Sequence, residues 1–395
     1  MKILCVFGKY QYGRPALGIG IEYAAFTSAL QRLGHKVVHF ESWDRTLYRD
    51  YAELNRDLLA FVASENPHIL LAVQRDCELW TETLDAIRQR GVITISWTTD
   101  DSWKYREVSR FIGPHYDLIT TTYADAVPRY HRDGIHHILR TQWAANADWL
   151  REPLPAVQCR YPVSFVGAAY GTRRKVIAAL ERRSVKVECF GDGWPNGPVE
   201  VEEIPRIMRE SQVSLSFADA FKQKARRQIK ARTFEVPGAG GLLLTEYAPG
   251  LEKYYRVGTE ILTYQTLDEM ENQIRGLHAN PARRDAIAWA GYARTRMDHT
   301  YDQRFTELLD VAVAMSGHKK RWLAPEAFSQ AIERYQNTLA VKPLSQLLAS
   351  ACSAVWGRDR GQRAARRALF ELSWRVLGKR TFAARGLPGR LFPQI

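Results

Sequence analysis

Residues 229–246 read IKARTFEVPGAGGLLLTE and bring together two cations, Lys230 and Arg232, a carboxylate, Glu235, and the glycines Gly238, Gly240 and Gly241. Ammonium and guanidinium groups hold anions, whereas a carboxylate accepts hydrogen bonds from hydroxyls. Glycines before a strand let another backbone or a ligand come close. The apolar run Leu242–Leu244 is short and bounded by turn residues, as in a strand covered on both faces of a parallel sheet. Charge beside a glycine turn at such a strand suits a sugar nucleotide; a salt bridge within the segment and a glycine helix cap are the plainer readings.

A second candidate is FVGAAYGTRRK, residues 165–175, where Gly167 ends a strand and Arg173, Arg174 and Lys175 begin a helix, Arg173 being the first choice and Lys175 the second. A helix N-terminus already carries positive potential, so added cations there point to a diphosphate, or else to a solvated basic turn. In CFGDGWP, residues 189–195, Trp194 either stacks near a nucleotide base or anchors its loop. Asp100 and Asp101 follow the strand VITISW and are candidates for the general base that takes a proton from an attacking hydroxyl; the alternative is a cap for a helix starting near Ser102. Gly18, Gly20 and Glu22 in the first glycine loop are candidates on the acceptor side. The ten histidines form no H-x-x-x-H pattern with nearby acids on a credible helix, so no metal and no other cofactor is expected.

These residues are positioned by an alternation of strands and helices. KILCVFG, a glycine loop, an amphipathic helix through Tyr23, Phe26, Leu30 and Leu33, and the strand Lys36–Phe40 form a βαβ unit, and three more strands follow before residue 145. REPLPAVQCRYP, residues 151–162, has three prolines and no apolar period, and reads as a linker. The alternation then restarts. The expectation is an α/β chain of two Rossmann-like domains facing a cleft, with boundaries 1–150, 151–162 and 163–316, and a basic helical extension over 317–395.

The chain has 395 residues, 46% of them hydrophobic and 25% charged, which is too long for a single core and too apolar for disorder. The net charge is +13, but residues 318–395 carry 15 Lys or Arg against 4 Asp or Glu, so the basic excess belongs to the tail. Single-strand binders interleave aromatics with basic residues, and the two domains lack that pattern, so nucleic acid is not expected as a partner. Five scattered cysteines without C-x-x-C suit a reducing cytosol, and MKILCVFGKY is too short an apolar stretch for a signal peptide. In the tail, Leu344, Leu347, Leu348, Ala351, Cys352 and Val355 recur at helical spacing. Ala365, Leu369, Leu372 and Val376 then mark an apolar face flanked by Arg366, Arg375, Lys379 and Arg380. Two readings follow: the tail packs on the body, or residues 338–390 contact an anionic membrane.

GIGIEYAAFTSALQRLGHKV resembles the opening of GT-B glycosyltransferases, and QIKARTFEVPGAGGLLLTEYAPGLEKYYRVGTEILTY resembles the donor-domain signature of the CgeB-like, spore-maturation-type members. SWTTDDSW, SFVGAAYGTRRK and AGYARTRMDHTYDQR are further matches, and the resemblance spans about residues 1–313. It implies a nucleotide-sugar donor held by the second domain and an unknown acceptor held by the first; the membrane reading of the tail suits an envelope or lipid-linked glycan as that acceptor, and a catalytically silent binding or scaffold module is the alternative. Glu235 matches the second Glu of the Glu-x7-Glu signature, whose carboxylate binds the donor ribose. Eight residues earlier the chain has Arg227 instead of Glu, so both retaining and inverting outcomes stay open.

Overall fold

The computed structural model describes residues 1–220, 223–316, 342–384 and 386. The first half runs β1 (Lys2–Val6), α1 (Ile21–Arg32), β2 (Lys36–Phe40), α2 (Tyr51–Glu65), β3 (Ile69–Ala72), α3 (Thr81–Gln89), β4 (Ile93–Trp97), a π-helical turn at Tyr105–Ser109 leading into α4 (Arg110–Ile112), β5 (Leu118–Thr121), α5 (Val127–Arg132) and β6 (Ile138–Arg140). Its strands form one parallel sheet in the order β2-β1-β3-β4-β5-β6. Continuous apolar runs fit this position: Ile3–Val6 and Ile69–Ala72 are buried throughout because helices cover both faces. The sequence reading missed β6, whose three residues follow His136 and His137 and form no apolar run.

The second half contains β7 (Tyr161–Val166), α6 (Arg173–Arg182), β8 (Glu188–Phe190), α7 (Glu203–Arg209), β9 (Ser211–Ser216), a hairpin of β10 (Asp219–Ala220) and β11 (Gln223–Arg227), α8 (Arg232–Gly238), β12 (Leu243–Glu246), β13 (Leu262–Tyr264), α9 (Leu267–Ala279), α10 (Pro281–Asp298) and α11 (Tyr301–Ser316). The parallel sheet has the order β13-β12-β9-β7-β8. The chain goes from β7 to one side and then returns to pair β9 on the other, so the switch point lies between β7 and β9. Ligands of open α/β sheets bind outside the carboxyl ends of strands at such a point. The linker is pinned to this sheet: the buried Arg284 guanidinium donates to the carbonyls of Leu154 at 2.6 Å, Ser211 at 2.7 Å and Gln212 at 2.9 Å.

The compact units are laid out differently from the linear boundaries expected above. One comprises residues 1–15, 34–140 and 308–395, the other 16–33 and 141–307. Helix α1 joins the second unit because Phe26 packs on Tyr301 and Phe305, each with ring centroids 5.0 Å apart, and Arg32 pairs with Asp148 and Asp302 at 2.6 Å.

The tail helices α12 (Lys342–Trp356) and α13 (Arg358–Leu377) belong to the first unit. Phe370, Trp374 and Phe382 enter the core beside Tyr116, Ile112 and Trp80, and Arg367 pairs with Glu107 at 2.6 Å. The buried face of α13 is Ala365, Leu369, Phe370, Ser373 and Trp374, whereas Leu372 and Val376, expected on the same face as Ala365 and Leu369, are 57% and 70% exposed. Aromatic bulk decides the rotation, since Phe370 and Trp374 bury far more area than the aliphatic pair. Residues 317–341, 385 and 387–395, which carry part of the expected extension and of the 338–390 membrane contact, lie outside the described residues. Phe370→Ala is therefore expected to destabilise the first unit by about 3 to 5 kcal/mol, read as a lowered unfolding midpoint in denaturant; an unchanged midpoint would mean that the tail is not part of this core.

Candidate functional site

The switch point of the second sheet is where the sequence placed its strongest candidates. Arg232, at the start of α8, donates from Nε to the Val166 carbonyl at the end of β7 at 2.9 Å, and from Nη1 to Oε2 of Glu235 one helical turn on. Glu235 is 1% exposed, and its other oxygen, Oε1, is buried with no hydrogen-bond partner among the described residues. A buried carboxylate oxygen without a donor costs about 1 to 3 kcal/mol, a cost that an arriving hydroxyl offsets. Lys230 lies just upstream, partly exposed, its carbonyl accepting from the Thr233 amide at 3.0 Å.

The loop after β7 is held from within. Trp194 donates from its indole to the Gly167 carbonyl at 2.8 Å and stands edge-on to Phe165, the loop anchor of the plainer reading. Arg173 is buried rather than open to a diphosphate: its guanidinium donates to the Ala168 carbonyl and the Tyr170 hydroxyl, both at 2.9 Å, and lies 3.9 Å from the Tyr170 ring centroid. Of the other cations expected at this helix start, Arg174 is exposed and donates to the Gly193 carbonyl, and Lys175 is exposed as well. Gly240 and Gly241 serve the protein's own backbone, since a Cβ at either would stand 2.5 Å from the carbonyl oxygen of Arg151 or Met208 respectively. The close approach expected there is real, but what approaches is protein.

Beyond β9, β12 and β13 the strand ends line a cavity of about 260 Å³ with Thr172, Phe217, Asp219, Arg227, Glu246, Tyr264 and Gln265 on its wall. Neither Arg232 nor Glu235 lines it; Phe217 on its wall packs on Phe165 and lies under the Arg173 guanidinium. Arg227, the residue standing in for the signature Glu, pairs with Glu246 at 2.5 Å, while Thr172 donates to Asp219 at 2.8 Å. Burial raises the Glu246 carboxyl above the usual glutamate range, and hydrogen bonding to Asp219 adds to this, against the Ala218 amide and Arg227. The sequence reading passed over this cluster; Glu246 at the end of its buried strand was the available signal.

Helix α1 brings Glu22 to the same unit. The buried Tyr301 hydroxyl is held well above its ordinary pKa by desolvation first, then by the negative charges of Glu235 and Glu22. The first glycine loop rests on the same core through Ile19 and Ile21. Gly18 has φ +75°, a left-handed conformation that favours glycine, whereas Gly20 caps α1 at φ −74°, which any residue adopts.

In the first unit the Asp100–Asp101 pair divides. Asp101 is 1% exposed and accepts from Thr98 at 2.8 Å, Ser109 at 2.6 Å and Tyr130 at 2.8 Å, so it ties β4, the π-helical turn and α5 together rather than facing solvent. Burial raises its carboxyl above the usual aspartate range, against these hydroxyl donors. Asp100 is half-buried, at φ +59°, and its carbonyl accepts the Trp103 and Lys104 amides. Of the pair, Asp100 alone keeps the solvent access a base requires. Among the described residues no group of three or more His, Cys, Asp or Glu is arranged to hold a metal ion.

Asp101→Ala is expected to lose about 2 to 4 kcal/mol of stability by removing the acceptor of the buried Ser109 and Tyr130 hydroxyls, Thr98 keeping the Thr120 carbonyl; a normal unfolding midpoint with lost activity would instead make Asp101 the reacting group. Glu246 has a raised folded-state pKa, so its contribution is present at low pH and lost as pH rises through the raised value. Relative to wild type, Glu246→Gln should gain stability as pH is raised from the ordinary glutamate range towards neutrality, read by thermal unfolding; a flat difference would contradict the assignment.

Residues 173–310 match a family model described as glycosyl transferase-like. Sucrose-phosphate synthase from Thermosynechococcus elongatus is similar in structure at 11% identity and a TM-score of 0.55, over 80% of this chain and 100% of its own. An alpha-glucosyltransferase solved with UDP and a 13-mer DNA containing an A:G mismatch is similar at 13% identity and a TM-score of 0.58, over 79% of this chain and 100% of its own. HepE from Anabaena, solved with UDP-glucose, is similar at 13% identity and a TM-score of 0.53, over 78% of this chain and 99% of its own. No curated protein is significantly similar to the chain. The chain thus has the GT-B fold, two Rossmann-like α/β domains with a helical C-terminal part, and its second unit carries the glycosyl transferase-like segment.

Proposed function

We propose that the protein is a glycosyltransferase that moves a sugar from a nucleoside diphosphate to an acceptor hydroxyl, within the CgeB-like branch of GT-B enzymes. The observation that carries this reading is Glu235 Oε1, buried without a donor among the described residues, beside the switch point and inside the segment that matches the family model. Glu235 accepts from the donor ribose hydroxyls, and Arg232 holds it in place. The three similar structures include complexes with UDP and UDP-glucose, which supports a hexosyl donor.

Departure of the diphosphate concentrates negative charge on the leaving group, and preorganised cations stabilise that charge most in the transition state. Lys230 and the exposed Lys175 take this role, and no metal is required. Asp100 takes the acceptor's proton. The described cysteines are all free thiols, in keeping with a reducing cytosol.

Glu235→Ala is expected to weaken donor binding by about 1 to 3 kcal/mol, measured by titration calorimetry against a panel of nucleotide sugars. Unchanged affinity would remove Glu235 from the site. Lys230→Ala should lower kcat more than it raises KM, and chelator should leave turnover unchanged; strict Mg or Mn dependence would contradict the metal-free mechanism. Nucleotide-sugar binding with neither transfer nor donor hydrolysis would instead identify a binding module.

A further inference from the structure

The first unit carries a surface that the transfer reaction does not use. Residues 343–357 contain no Asp, Glu, Lys, Arg or His, yet they form most of a helix, α12, whose Leu347, Val355 and Trp356 are 68%, 69% and 56% exposed. On the neighbouring α13, Leu372 and Val376 also face solvent. The two helices form a tight hairpin: a Cβ at Gly361 would stand 2.3 Å from the Ser353 Cα, so their backbones touch at that point. The opposite face of α13 is committed to the core through Phe370 and Trp374, so the hairpin cannot rotate to hide its exposed residues.

Along these two helices and the turn that follows, the charge is mainly positive. Residues 342–384 hold nine Lys or Arg against two acids, Asp359 and Glu371. Glu371 is occupied by Arg367, Arg375 and the Trp374 indole. Arg358, Arg360, Arg363, Arg375, Lys379 and Arg380 are exposed.

We propose that this hairpin docks the protein reversibly on an anionic lipid surface, with Leu347, Val355, Trp356 and Val376 entering the headgroup boundary and the flanking cations pairing with lipid phosphates. Amphipathic helices rich in Lys and Arg bind membranes through this combination of buried apolar area and charge. A second copy of the chain is a poorer occupant, because self-association would bring two basic faces together. Nucleic acid would use the cations but leave the aliphatic side chains without a partner. No helix among the described residues is long and apolar enough to cross a membrane. The inference is independent of the donor chemistry.

The test is co-sedimentation of the full chain with vesicles of phosphatidylglycerol and phosphatidylcholine, compared with phosphatidylcholine alone. The expected result is at least about ten-fold preference for the anionic vesicles at low salt, with release at high salt, as charged-surface attraction requires. Leu347→Gln with Val355→Gln should lose binding about ten-fold or more, each apolar side chain contributing through its buried area. Lys379→Ala with Arg380→Ala should lose about five-fold per charge. Both pairs should melt as wild type does and bind donor normally; a lowered melting temperature would overturn the exposure on which the proposal stands. No preference for anionic vesicles, binding unaffected by the glutamine pair, or a solution dimer abolished by that pair would each overturn it, the last by assigning the face to a second copy.

Discussion

One half-satisfied carboxylate organises the second unit. Burying a charge is costly unless it is paired, and Arg232 supplies the pairing by reaching from the first turn of α8 to both Glu235 and the last carbonyl of β7. This single guanidinium ties the helix to the strand on which the topology turns. Because Arg232 reaches only Oε2, the fold retains a buried acceptor, Oε1, without a donor among the described residues, and this is the group that the proposed ribose contact would satisfy.

The neighbouring groups serve that arrangement. Trp194 and Arg173 hold the loop after β7 from opposite directions, one through the Gly167 carbonyl and the other through Ala168 and Tyr170, leaving the loop little freedom when a ligand binds. Arg227 takes the place of an acid in the related signature and neutralises the Asp219–Glu246 pair, so the cavity wall carries less net charge than its acids alone would give. Tyr301 feels the charges of both Glu235 and Glu22, residues far apart in sequence, and Phe26 fastens α1 to α11 beside it.

The parts legible in the sequence were those with a strong local signal. Both α/β units, nearly all sheet strands and the Lys230–Glu235 segment followed from apolar runs and turn residues. Three things depended on tertiary context instead. The joining of α1 to the second unit turns on the contact of Phe26 with Tyr301, about 275 residues away, which no periodicity encodes. Charge at a helix start looked like a phosphate cradle, but Arg173 is long enough to fold back onto its own loop, and sequence spacing does not say which way a guanidinium turns. Asp100 and Asp101 are adjacent and chemically identical, and only the positions of Ser109 and Tyr130 decide which one is buried. In the tail the helical period was correct, but the competition between Trp374 and Val376 for the core set the rotation.

The central claim, that Glu235 waits for ribose hydroxyls, is tested most directly by removing those hydroxyls from the ligand rather than the carboxylate from the protein. Titration calorimetry of wild type and Glu235→Ala would compare the nucleoside diphosphate that binds best with its 2′,3′-dideoxy analogue. The account predicts that wild type loses about ten-fold or more in affinity for the analogue, in the range of one charged hydrogen bond, while the variant binds both equally. Equal binding of both ligands by wild type, or undiminished discrimination by the variant, would contradict it.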